Sequence, residues 1–551
     1  MMKVRNLLAI ALLFIAGTAS AGSSTDRYNI KRALEAAQQQ DWETSVSFLS
    51  QEIDENPDNG YAYAYFAAVC DMMTGYNHAV FAFAKKALRY LPKNDRYMNE
   101  EMEGYLANIY LQAGDTAHAI EHWNKAIAYD FTNPKYYGYI ADVRNDSKEY
   151  EKLVTMGDGM VNHTKGLDKS PVSYSILISG LNGLKRYGEA VTYADKALGL
   201  SDLNKVQQAV FHAAKAKALF SLKRYEEATA EAMTTARLQS RRGMQLLIQI
   251  ADSSDMQPVL DSIEAGFAAE PSQCLWTAAA SDIYARHHNY VQAIFQLLRS
   301  TKVEESSATY WSAAQYAVHY LGDPETGERL YRKALEKDST DAVAWTYLAD
   351  LYHDLGRYDE ALGAIDRVLT LDPEQKRADI PYTIRGRVYL SMHNYPRALD
   401  EYYRALVSEN DLDSWPRIAS LYRLTGDEAA AQKAIEQGLQ AMVNDTTMDM
   451  LLVMNDTLSA KAKAPAMVTK DSSANQQYNA ACMYSRMNMP EEAMAAFRKS
   501  LECGFRNFYH IAWDDDLDNI RNLPEFNELV NEYKAKARQE QEELQRLIST
   551  L

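Results

Sequence analysis

The residues best able to do chemistry in this 551-residue chain lie near its C-terminal end, where Asp514, Asp516, Asp518 and Glu525 take positions 1, 3, 5 and 12 of the pattern D-x-D-x-D-x6-E. Oxygen ligands at that spacing are what a calcium loop uses. The pattern lacks its hinge: Asn519 stands where glycine makes the sharp turn, Arg521 fills the usual apolar place, and Pro524 precedes the glutamate. An acidic turn that caps a helix accounts for the same residues, and no metal is expected there. Arg286, His287 and His288 read in the same way, as a turn between helices and not as a metal pair. Cys70, Cys274, Cys482 and Cys503 are too few for a disulfide framework and suit buried small apolar positions. Cys482 and Cys503 fall on two successive helices, so one bridge between them stays open in an oxidising compartment. There is no H-E-x-x-H, no G-x-S-x-G, no P-loop and no G-x-G-x-x-G between a strand and a helix. The chain therefore reads as a non-enzyme, with no catalytic residue and no cofactor.

The elements that would position any site are declared most plainly by residues 342–373. Trp345, Leu348, Ala349 and Tyr352 recur at i, i+3, i+4 and i+7, one stripe of a helix. Gly356 ends that helix. Tyr358, Ala361, Leu362, Ile365 and Val368 form a second stripe, and Pro373, which has no backbone N–H, stops it. Two helices of this length cannot bury both stripes against each other, so the pair needs neighbours. The sequence supplies them: Trp311, Gly322, Tyr331 and Ala334 precede the matching slots at a period of about 34. Tyr382, Gly386, Tyr389, Tyr395, Ala398, Tyr402 and Ala405 follow, then Trp415, Ala419, Tyr422, Gly426 and Ala431.

This pattern, W-x2-L-G-x2-Y, then A-x3-F, then P, with Ala349 in the small slot, resembles the tetratricopeptide repeat family. Small residues are needed at Ala349 and Ala361 because the paired helices approach closely there. The resemblance implies an all-α, right-handed superhelical solenoid of about thirteen helix pairs. About twelve repeats are expected over residues 22–443, faintest at 241–273, where Pro258 opens the second helix of its pair. Residues 444–473, methionine-rich and then rich in alanine, lysine, proline and serine, read as a helix extension and a linker. Residues 474–551 read as a final repeat with capping helices, since the stretch from Glu502 to Phe526 is similar to the closing segment of many bacterial arrays of this family and should cover the open apolar end.

The first residues read as an address. Lys3 and Arg5 precede the apolar run of residues 7–17, and Ala19-Ser20-Ala21 supplies a small-x-small cleavage signal, so residues 1–21 are expected to be a signal peptide. The first cysteine after the signal is Cys70, which argues against a lipid anchor, and no later stretch is long enough for a membrane span. A soluble protein exported to the periplasm of a Gram-negative bacterium is expected. The triplets Asp115-Thr116-Ala117, Asp261-Ser262-Ile263, Asp338-Ser339-Thr340, Asp445-Thr446-Thr447 and Asp456-Thr457-Leu458 resemble O-glycosylation acceptors of Bacteroidota envelope proteins, a hint of compartment only. Net charge is −17 at pH 7, a surface that repels phosphate backbones, so nucleic acid and anionic lipid are poor partners.

What the resemblance implies about function is a concave face lined by the first helix of each repeat. Counting from the framework slots, that face should present Tyr316 and His319, then Thr346, Asp350 and His353, then Thr383 and Arg387, then Arg423. Aromatic area with arginines for carboxylates suits an extended or helical peptide. The expected function is a non-catalytic exported scaffold for a protein or peptide partner. The alternative is a glycan- or solute-binding envelope protein, disfavoured because the anchoring cysteine and the long non-repeat insertions of such proteins are missing.

Overall fold

The computed structural model describes residues 28–75, 78–372, 381–442, 447–456, 459–461, 463–464 and 473–551. The expected signal peptide, the stop at Pro373, the triplet residues Asp445, Thr446, Thr457 and Leu458, and residues 465–472 of the expected linker lie outside the described residues. Among those described, all regular structure is helical and none is strand. By the density of its internal packing the chain divides into two units, Met1–Leu246 and Leu247–Leu551.

In the first unit six helix pairs follow one another, from Tyr28–Gln38 with Trp42–Glu55 to Lys205–Ser221 with Tyr225–Leu238. Aspartates at the entry to many second helices, Asp41 and Asp115 among them, accept the N3 amide and satisfy one of the orphan donors of the first turn. The turn within each pair needs a residue with positive φ, which Gly114 supplies. Lys148, Lys185 and Lys223 hold the same place at φ of 57–60°. Alanines fill the close approaches: Ala107, Ala119 and Ala126 have no exposed surface. Side chains then tie each first helix to the next repeat. Tyr61 Oη donates to Asp95 Oδ2 at 2.6 Å, Lys135 Nζ to Glu101 Oε1 at 2.8 Å, and Ser179 Oγ to Asn145 Oδ1 at 3.1 Å, each 34 residues apart. Such contacts reach one neighbour and stop.

The second unit continues the pairing. The faint stretch is helical, Ser240–Ser253, within which the division falls, and Gln257–Ala269, with Pro258 in the first turn where its missing N–H costs nothing. Gly356 turns between Ala342–Asp354 and Tyr358–Leu371 at φ 72°, and Ala349 and Ala361 are fully buried between them. His288 sits in the corresponding turn of its pair at φ 60°. The methionine-rich segment is not a bare extension. Helix Met448–Val453 buries Met450 and Val453 with Ile418 and Leu421, while Leu451 packs with Ala460, Ala464 and Met487. The last pair, Ala474–Arg486 and Pro490–Glu502, shares a core with the closing residues Phe505, Phe508, Ile511, Leu517, Ile520, Phe526 and Leu529. Those closing residues pack on the last pair. Helix Pro524–Ile548 runs on past this core. Its end carries Leu544, Leu547, Ile548 and, just beyond, Leu551 into the core of residues 290–388.

Candidate functional site

The eight side chains expected on the first-helix face all belong to the second unit, and the chain itself engages most of them. Tyr316 packs its ring 5.7 Å from Tyr290 and 6.0 Å from Tyr320. Thr346 is buried and donates to its own helix at Ala342 O, 2.8 Å. Thr383 is buried and donates Oγ1 to Glu409 Oε2 at 2.6 Å and Asp411 Oδ2 at 3.0 Å. Arg423 donates to Val453 O and to Glu428 Oε1. Arg387 Nη1 donates to Asp350 Oδ1 at 2.9 Å and Nη2 donates to His353 Nδ1 at 3.3 Å. His353 Nε2 lies 3.1 Å from Ser391 Oγ. The two arginines expected to await a partner's carboxylate are thus engaged in the chain.

What His353 and Arg387 both face is a carboxylate that the repeat pattern does not single out. Asp354 ends helix Ala342–Asp354 and is 7% exposed. Three residues of the C-terminal segment converge on it. Asn507 Nδ2 donates to Oδ2 at 2.7 Å, Trp513 Nε1 donates to its carbonyl at 3.3 Å, and His510 Nδ1 stands 3.6 Å from Oδ1, an ion-pair distance. Asn507 and helix Phe508–Trp513 place these three groups one turn apart on one side. The Trp513 indole meets His353 edge-to-face at 5.4 Å and His510 at 4.7 Å. Beside this cluster Arg506 N donates to His319 O at 2.7 Å. Gln541 Nε2 donates to Leu321 O and Gly322 O at 2.7 and 3.1 Å, and Gln545 Nε2 to Thr326 Oγ1 at 3.0 Å. Gly322, at φ 61°, is required twice over: a Cβ there would stand 2.5 Å from Arg506 O.

Charge decides how firmly this cluster holds. Burial alone would push His510 down, but Asp354 and Asp514 on its two sides raise it to about 9. Asp514, 3.3 Å from His510 Nε2 and accepting from Tyr478 Oη at 2.6 Å, is held at about 2 in spite of burial. Burial opposes the charge of Asp354 as well, yet contacts with His353 and His510 and the nearby Arg387 carry it well below the usual carboxylate range. His319, by contrast, is held down by burial. A histidine kept protonated between two carboxylates is a clamp at neutral pH and not a general base.

The acidic run of 514–525 is spread over several partners. Asp514 Oδ1 caps the short helix Asp515–Leu517, Asp518 pairs with Arg521 at 3.2 Å, and Glu525 pairs with Arg498 at 2.6 Å. All four cysteines are free thiols, so the bridge left open between Cys482 and Cys503 is not made. Cys482 is buried and donates to Asp514 Oδ2 at 3.4 Å, and burial pushes its thiol far up. Arg286 bonds Asp252 at 2.5 Å and His287 stands 3.6 Å from the same carboxylate, 34 and 35 residues back.

In the first unit one repeat, Lys135–Asp146 with Tyr150–His163, carries no such cover. Ala141 and Tyr150 occupy the slots of Ala349 and Tyr358, so Asp142, Asn145 and Asp146 correspond to Asp350, His353 and Asp354. All three are exposed.

A tetratricopeptide repeat family model matches residues 330–363 and another matches residues 477–502. Among curated relatives, a chloroplastic protein of Arabidopsis thaliana is 26% identical over 106 residues, 19% of this chain and 30% of that protein. Tetratricopeptide repeat protein 37 of Xenopus laevis is 26% identical over 145 residues, 26% of this chain and 9% of that protein. The chain thus spans less than a third of the length of either relative. Among solved structures, yeast Tom70 aligns with 81% of this chain and 98% of its own at 14% identity and a TM-score of 0.32. With its recurring slots and helix pairs in both units, the chain is a tetratricopeptide repeat protein.

Proposed function

We propose that the chain is an exported, non-catalytic scaffold that holds protein partners against the first-helix faces of its repeats. One observation carries this reading: the C-terminal ends of first helices in the second unit grip a protein segment, the chain's own C-terminal residues, through Asp354 and the carbonyls of His319, Leu321 and Gly322. A surface that binds its own chain by side-chain donors, carbonyl acceptors and an aromatic edge has the chemistry to bind another. In this proposal Tyr316, His319, Thr346, Asp350, His353, Thr383, Arg387 and Arg423 form the partner surface of the second unit. Asp142, Asn145 and Asp146 mark the corresponding surface of the first. Export to the periplasm rests on Lys3, Arg5, the apolar run after them and Ala19-Ser20-Ala21. Among the described residues no helix is long and apolar enough to cross a membrane.

The test is a photo-crosslinking residue at Asn145 in the native envelope, followed by mass spectrometry of what is attached. A scaffold yields one defined protein joined at that position. No captured protein, together with a melting temperature raised by glycan alone, would replace the proposal with a sugar binder.

A further inference from the structure

We infer that the face around Asp354 is a receptor for a short helical segment carrying asparagine, histidine and tryptophan three residues apart, and that residues 507–513 occupy it in competition with a partner segment of the same chemistry. The inference deepens the proposed function and rests on its claim that this face serves a partner. The recognition is specific in each part. Asp354 offers one carboxylate oxygen to the amide of Asn507, the other to the imidazole of His510 and its carbonyl to the indole of Trp513. A segment without the asparagine or the tryptophan leaves Asp354 Oδ2 or its carbonyl without a donor, which is how a site rejects near neighbours, while the histidine adds its charge beside Oδ1. His353 gives the wall that the edge of the Trp513 indole meets, with its ring held by Arg387 and Ser391.

The occupant is exchangeable in principle because of where its contacts come from. Repeat-to-repeat bonds join residues about 34 positions apart and cannot be given up without opening the array. The bonds to Asp354 join residues 153 and 159 positions apart, and those of Gln541 reach across 219 and 220. They are made by the far end of the chain, held near by covalent linkage, so the segment binds at an effective concentration that a free peptide must overcome.

The experiment uses the full chain and a fluorescent synthetic peptide of residues 503–516. The unsubstituted chain should bind it weakly. The chain carrying His510→Ala and Trp513→Ala should bind it at least tenfold more tightly, and adding Asp354→Asn should return binding to the weak level. Circular dichroism melting shows that each chain is folded. As a measurement that needs no substitution, excess peptide added to the original chain should raise hydrogen exchange in residues 505–515 while residues 351–357 stay protected. Failure to bind the double variant, or binding that ignores Asp354→Asn, overturns the inference, as does unchanged exchange in residues 505–515. Crosslinking at Asn145 reads the first unit and is unaffected by either result, so the broader scaffold reading stands or falls separately.

Discussion

Asp146 and Asp354 hold the same slot of two different repeats, and they live in opposite worlds. Asp146, at the end of Lys135–Asp146, is exposed on the face of the first unit. Asp354 is buried under the C-terminal segment, with an asparagine, a histidine, a tryptophan and an arginine around it. The repeat frame therefore fixes where a side chain sits and not what meets it. Occupancy is decided by which stretch of chain comes back, and in the second unit the residues from Phe505 onward come back.

The sharpest way to break the comparison is to remove both carboxylates in turn. Asp354→Ala strips the partner from a buried charge, and loss of one side of such a pair costs about 3–5 kcal/mol. Asp146→Ala should stay within about 0.5 kcal/mol. Hydrogen exchange of the two helices measures both, and equal effects would dissolve the distinction. Leu544→Ala should follow, at about 2–5 kcal/mol, because Leu544 is fully buried in the core of residues 290–388 and its loss leaves a cavity. The readout is exchange in Ser307–Tyr320, with Lys135–Asp146 unmoved.

A change of pH should separate the units without substitution. His510 stands at about 9, above the ordinary imidazole value of 6.5, so its stabilisation is fully present below pH 6.5 and is lost as pH rises through 9. The groups around it are Asp354, His353 and Arg387 from the repeats, His319 behind them, and Asp514 and Tyr478 from the closing block. A shift of this size is worth on the order of 3 kcal/mol. Asp514, at about 2, contributes above pH 3.8 and loses its contribution only as pH falls through 2. Protection of residues 351–357, once intrinsic exchange rates are corrected for, should therefore fall between pH 7 and pH 10, while residues 139–146 show no matching loss. A smaller contrast comes from two glycines. Gly114→Ala, at φ 80° with open space around it, pays only backbone strain of about 1 kcal/mol. Gly322→Ala adds a collision with Arg506 O and should cost about 2–3 kcal/mol.

Much of the fold is legible in the sequence because its contacts repeat. Ala349, Ala361, Tyr358 and Gly356 mark their slots since each pair must dock on the next, and the same need puts Tyr61 on Asp95 and Ser179 on Asn145. Lysines at φ near 60° in the turns hide where the glycines show, so the weaker repeats look weaker than they are. The site is legible only in half. Position counting finds Asp350, His353 and Arg387, but it leaves them facing solvent, because nothing periodic links residue 354 to residues 507–513. Arg387 is the instructive case. Read alone it is a free cation for a partner's carboxylate, whereas it is paired with Asp350 and stands 3.8 Å from Asp354. Charge reversal there should therefore destabilise the second unit as well as any binding.

The most direct test of the account is hydrogen exchange in the full chain with Asn507→Ala and Trp513→Ala together. If the C-terminal segment covers the repeats of the second unit, residues 316–323 and 351–357 should exchange at least tenfold faster than in the original chain, and residues 139–146 should exchange as before. Unchanged protection at 351–357 would show that this face is not closed by its own chain end.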